Sequence, residues 1–334
     1  MTEIGGQYLH PITFISNTYK NFDFHETGFW EKEQKSWGDN VVQFEHSSYP
    51  PIQRFKSSGF SSEILISKDG LIASELPEKV ASDEEALIIL SHHLNSFLGL
   101  INFGGLFFHP FSEKEISHIE LKDGAISQVS ACGDSYSKTN LKRALHRFPK
   151  QIPYILGTPW IDFDWVGMRI IKISEINDAF SLGKEIVSSE HFVRDAQILA
   201  LAAYKEYTLH NWNSALVLSW TFIEMLINEL WKKEMIKNVS IEEIGRKDRL
   251  EDYRTYSSGI KIEVLYTKSI IDIDTYVKLN QLRKLRNDFI HKGKFITESD
   301  TNIFFEIVNI IIEITTGKKP LFNNPGWTRS GGWI

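Results

Sequence analysis

Two textures follow one another along the chain. Up to about residue 180, short apolar-rich runs alternate with turn residues. Residues 62–67 (Ser-Glu-Ile-Leu-Ile-Ser) lead into Lys68-Asp69-Gly70 and then Leu71-Ile72-Ala73. His118-Ile119-Glu120-Leu121 leads in the same way into Lys122-Asp123-Gly124 and Ala125-Ile126-Ser127. Asp-Gly between such runs predicts two β-hairpins, because glycine accepts the positive φ of a tight turn. One helix interrupts this half. Ser82 is its expected cap, Asp83, Glu84 and Glu85 form an acidic first turn, and Ala86, Leu87, Leu90, Leu94, Phe97 and Leu98 keep helical spacing toward Gly104-Gly105. A prolyl segment from Pro149 to Pro159 precedes a predicted strand over 168–173. Residues 1–185 read as an α+β domain.

From Ser188 the spacing of apolar residues becomes helical. The pattern predicts a long helix over 190–210, a second from Asn213 or Ser214 to 237, and a third region over 241–268 broken near Ser257-Ser258-Gly259. A fourth helix runs from Ile273 to His291, with Asp274 as cap and Gly293 as stop. A fifth follows over 301–316, capped by Ser299-Asp300 and ended by Gly317. No proline lies between Trp160 and Pro320. The expected fold is an α+β N-terminal domain followed by an all-α helical bundle over 186–317. Residues 318–334 form a tail whose Trp327 and Trp333 are expected to anchor it in a groove of its own chain or of another subunit.

Composition narrows the classes. The 334 residues are 42% hydrophobic and 24% charged, enough for sizeable cores and unlike a disordered chain. A net charge of −6 excludes a globally basic nucleic-acid binder. Cys132 is the single cysteine, so neither an intrachain disulfide nor a multi-cysteine zinc site is expected. The first ten residues lack a basic start followed by an apolar run, and no run of about 18 uncharged apolar residues stands out. A cytoplasmic protein without a membrane partner is the expectation. His92 and His93 are adjacent on a helix, so they face different sides and make poor joint metal ligands. Asp162, Asp164, Asp272 and Asp274 read as turn or cap residues. Neither a metal nor a cofactor is expected.

Charge gathers in one helix. Between Lys278 and Lys294 six basic residues meet one acid, Asp288, a net +5 that leaves −11 for the remainder. At about 100° per residue, Asn280, Arg283, Asn287 and His291 share one face. Leu279, Leu282, Leu285 and Phe289 form the core stripe, with Arg286 at its edge. The second helix is apolar nearly all round, and Glu224 sits in its middle. A carboxylate there needs a cation, and Arg286 is the expected partner, against the alternatives of a lysine or a solvent groove.

The run Arg286-Asn287-Asp288-Phe289-Ile290-His291 resembles the Arg-x4-6-His motif of HEPN domains in its Arg-Asn-x-x-x-His form. The helical bundle, the motif's late position and the earlier Leu-Ser-Trp-Thr-Phe-Ile-Glu-Met-Leu run at 218–226 are also similar to that family. The resemblance covers roughly 188–317 and does not reach the first half. It implies a metal-independent endoribonuclease that cleaves RNA by 2′-hydroxyl attack, in the manner of effectors of bacterial toxin and anti-phage defence systems. It implies Arg286, Asn287 and His291 as catalytic residues, with Glu224 and Asp288 in support. Arg283, Lys284, Lys292 and Lys294 would hold the RNA backbone. His291 suits acid–base work, and Arg286 suits charge developing on phosphoryl oxygens. Five residues apart, the two lie about 140° around one helix. The implied solution is a homodimer lining one cleft with two motif helices. The N-terminal half would then sense a trigger, and a regulatory protein partner is a further expectation. The other class of reading is a catalytically silent HEPN-like scaffold for oligomerisation or partner binding.

Overall fold

A computed structural model describes residues 2–9, 13–16, 53–56, 62–66, 70–75, 82–122, 125–127, 169–193, 195–237 and 244–322. These residues form two compact units. One takes the described residues up to Phe97 and from Phe111 to Asn177, and the other takes Leu98–Pro110 and Asp178 onward.

The first unit is built on a six-stranded antiparallel sheet. Its strands are β1 (Thr2–Tyr8), β3 (Gln53–Phe55), β4 (Ile64–Ile66), β5 (Leu71–Glu75), β6 (Ser117–Lys122) and β7 (Ala125–Ser127), in the order β3-β4-β5-β1-β6-β7. Both expected hairpins form. Ile66 pairs with Ile72 across the first, where Gly70 takes φ +79°. Lys122 pairs with Ala125 across the second, leaving only Asp123 and Gly124 between them. The two hairpins flank β1, which pairs Gly6 with Ala73 on one side and Ile4 with Ile119 on the other. A separate parallel pair joins β2 (Thr13–Ser16) to β8 (Arg169–Lys172), where a strand was expected.

Helix α1 (Asp83–Phe103) begins as the sequence indicates, with the Glu85 N–H donating to Ser82 Oγ at 3.2 Å. In the sheet unit its Phe97 ring lies 5.0 Å from that of Phe55, and His93 Nε2 meets the Ser62 carbonyl at 3.2 Å. Asn95, also buried, is satisfied by a two-bond clasp on the Phe111 backbone. The stretch Glu84–Phe103 has the length and composition of a membrane-crossing helix, which the sequence reading passed over. It is mostly buried within the protein, as a core helix is.

The second unit is helical. It holds the end of α1, most of α2 (Ile173–Val187), then α3 (Ala196–Thr208), α4 (Trp212–Trp231) with a π-turn over Lys232–Ile236, α5 (Ile244–Glu251), α6 (Ser258–Thr267), α7 (Ile273–Lys292) and α8 (Glu298–Thr316). The expected long helix over 190–210 is shorter, starting at Ala196. Helical structure instead begins at Ile173, directly after β8, where no turn residue announces the change. Caps also differ. Asp272 rather than Asp274 caps α7, accepting from the Thr275 N–H at 2.8 Å, and Gly293 ends it at φ +63°. Thr297, in a capping box with Asp300, starts α8.

Close helix contact in this unit depends on missing side chains. A Cβ on Gly183 would overlap the backbone of Leu100, and one on Gly104 would overlap Ala179. The core gathers the rings of Phe103, Phe192, Phe222, Phe304, Phe305 and Phe322. Phe322 belongs to the chain beyond α8 and is fully buried, 5.4–6.0 Å from Phe103, Phe107, Phe304 and Phe305. Its N–H donates to Asn309 Oδ1, and the Leu321 N–H donates to the Phe103 carbonyl. Within the tail, Phe322 is therefore an anchor. Trp327 and Trp333, like Cys132, Asp162 and Asp164, lie outside the described residues.

Candidate functional site

The motif helix α7 is built as its periodicity dictates. Leu279, Leu282 and Leu285 are buried, Phe289 packs partly against the core, and Gln281, Lys284, His291 and Lys292 face water. Arg286 is half-buried, as its position at the edge of the apolar stripe requires. Its Nη1 donates to Oδ1 of Asn287 at 3.0 Å. That bond turns the Asn287 amide toward the guanidinium, one helical turn before the exposed His291 ring. Asp288 accepts from Lys292 at 2.7 Å, and this bond holds its carboxyl below the usual carboxylate range.

Glu224 does not meet Arg286: no ion pair or hydrogen bond joins them. Glu224 accepts from the Ser258 hydroxyl at the start of α6, and its charge acts on Lys261 one turn later. Lys261 is itself buried. Its Nζ donates to Asn228 Oδ1 at 2.8 Å and lies 6.0 Å from the centre of the Trp231 ring. Burial pushes the Lys261 ammonium below the ordinary lysine value, with Glu224 opposing the shift. The partner bonded to the carboxylate inside the apolar helix is thus a hydroxyl, with the Lys261 charge in its neighbourhood. Arg286 is left to bond Asn287, and the hydrogen bond to Glu224 comes from α6 rather than α7.

The basic surface is thinner than the charge count implies. Lys278 bridges Asp274 at 2.6 Å and Glu306 at 2.8 Å, and these bonds raise its pKa. Arg283 lays its guanidinium against Gly259, where an added Cβ would sit 3.2 Å from its Cζ. Its Nε is buried without a hydrogen-bond partner. It is therefore packed toward α6 rather than held out to solvent like Lys284. Lys284 and Lys294 are exposed, and Lys292 is exposed while paired to Asp288. Among the described residues no group of three or more His, Cys, Asp and Glu side chains is placed to hold a metal.

Sequence reasoning missed Ser258, Lys261 and Asn228, because the region over 241–268 reads as broken and gives no helical face to align with Glu224. It also missed Tyr276, whose hydroxyl donates to Glu263 at 2.7 Å between α7 and α6. Comparison of the chain with protein-family models, with curated proteins and with solved structures returns no match.

Proposed function

We propose that this protein is a metal-independent endoribonuclease of the HEPN type, working in the cytoplasm as a homodimer in a bacterial toxin or anti-phage system. The observation that carries the reading is the Arg286–Asn287 bond on α7, one turn from the exposed His291. In the reaction, the RNA's 2′-oxygen attacks the adjacent phosphorus and the bond to the 5′-oxygen breaks. His291 accepts the 2′ proton, and the departing 5′-oxygen regains one. The products are a 2′,3′-cyclic phosphate and a 5′-hydroxyl. Arg286, steadied by Asn287, stabilises the charge that builds on the phosphoryl oxygens. Arg286 and His291 point about 140° apart on one helix, so a second copy of the motif completes each cleft and supplies acid and base together.

The test is cleavage of single-stranded RNA by the full chain in the presence of a chelator. His291→Ala should lose about 10²–10⁴-fold in rate, and Arg286→Ala about 10²–10³-fold. Equal cleavage by wild type and both variants would refute the proposal. A scaffold reading draws on a different observation. Lys278 and Lys292 are internally paired, and the outward side of α7 carries exposed Ile273 and Val277, a surface suited to a protein partner. Under that reading the chain forms an oligomer whose RNA affinity is negligible at any salt.

A further inference from the structure

At one end of the helical unit the α3–α4 turn meets the α7–α8 loop. The Ile296 N–H donates to Asn213 Oδ1 at 3.2 Å, and the Tyr207 hydroxyl donates to Asn302 Oδ1 at 2.6 Å. The first bond sets Phe295 beside the opening turn of α4. The second ties the end of α3 to the first turns of α8. Ile296 supplies the buried anchor of the loop, whereas Phe295 is 84% exposed, more than any other large hydrophobic side chain among the described residues. A ring held in water contributes little to folding. It stands between a helix-ending glycine, Gly293, and a helix-capping threonine, Thr297, where a polar residue would serve the chain as well.

Across the junction, His210 occupies the left-handed region at φ +60°. The Asn211 N–H bonds the Glu206 carbonyl and the His210 N–H bonds that of Tyr207, a helix ending that glycine ordinarily fills. The His210 ring lies 5.0 Å from the Trp212 ring, which lies 5.1 Å from that of Tyr207. On the loop itself Phe295 follows directly on the exposed His291, Lys292 and Lys294. An isolated ring set among cations suits a ligand that carries both π-faces and phosphates. A protein partner would instead ask for a continuous apolar area.

We infer that this end of the bundle binds the nucleotides flanking the cleaved phosphate of single-stranded RNA. The Phe295 ring stacks on a base, and Lys292 and Lys294 contact the backbone. Stacking tolerates any base, so this site fixes strandedness rather than sequence. The inference rests on the nuclease reading for its substrate class.

The experiment measures binding of a fluorescent, fully 2′-O-methylated single-stranded oligonucleotide, which lacks the attacking hydroxyl, to the full chain. Phe295→Ala should weaken Kd about 5–100-fold and raise KM for cleavable RNA by a similar factor. Phe295→Trp should restore both to within about threefold. If wild type cleaves RNA but Phe295→Ala binds as tightly, the stacking site is overturned and the nuclease reading stands. If Phe295→Ala loses affinity while His291→Ala and Arg286→Ala cleave like wild type, the stacking site stands and the nuclease reading falls. A wild-type chain that binds no RNA overturns both. A change of mass in light scattering on Phe295→Ala, with RNA affinity unchanged, assigns the ring to a second copy of this chain instead.

Discussion

Burial sets the cost of protonating His93. The side chain is 8% exposed, and desolvation lowers its pKa below the ordinary histidine value, with the Ser62 carbonyl opposing the shift. Because the folded pKa lies below the unfolded one, the unfolded chain binds more protons in the window beneath about pH 6.5. Stability is then complete above that pH and declines as pH falls through the window. His93→Gln should flatten this decline, seen as a smaller drop in urea midpoint between pH 7.5 and 5.5. An unchanged slope would exclude His93 as its source. At the same scale, the candidate site was partly legible. Arg286 and Asn287 are chain neighbours, so their bond follows from local sequence. Glu224 announced that it needed a partner but not which one, since that depends on how α6 aligns against α4.

Among the elements, turn chemistry was the clearest signal. Both Asp-Gly dipeptides lie between strands that pair antiparallel, a signal carried within a few residues of sequence. That β1 lies between the hairpins was illegible, since Gly6 meets Ala73 through pairing across much of the chain. Helix α2 was missed for another reason: it follows β8 with no breaker, so periods of two and 3.6 merge over 169–176. Its packing is demanding all the same. Gly183→Ala would push a methyl into the Leu100 backbone, and a backbone neighbour yields less readily than a side chain. A loss of about 1–3 kcal/mol is expected, read as a lowered denaturation midpoint. An equal replacement at Gly245, where nothing lies within 4 Å, should be neutral or slightly stabilising by comparison.

At the scale of the whole molecule, the chain does not pass through its units one after the other. Leu98–Pro110 belongs with the helices although sheet strands follow it, and composition along the sequence carries no sign of that exchange. The helical unit is closed by residues well past its last helix. Phe322→Ala empties a slot lined by four rings and should cost about 3–5 kcal/mol, measured by chemical denaturation of the full chain. Phe322→Leu, which keeps most of the volume, should recover more than half of that loss. Similar midpoints for wild type and Phe322→Ala would mean that the ring is not a structural anchor.

The Leu321–Phe103 bond has a bearing on birth as well as on stability. Synthesis delivers Phe103 about 200 residues before the segment that covers it, many seconds at ordinary ribosomal speed. Through that interval Phe103 and Phe107 lack the rings of Phe304, Phe305 and Phe322 that they later pack with or beside. The aromatic core of the helical unit is therefore completed only when the last described residues, beyond α8, have been made.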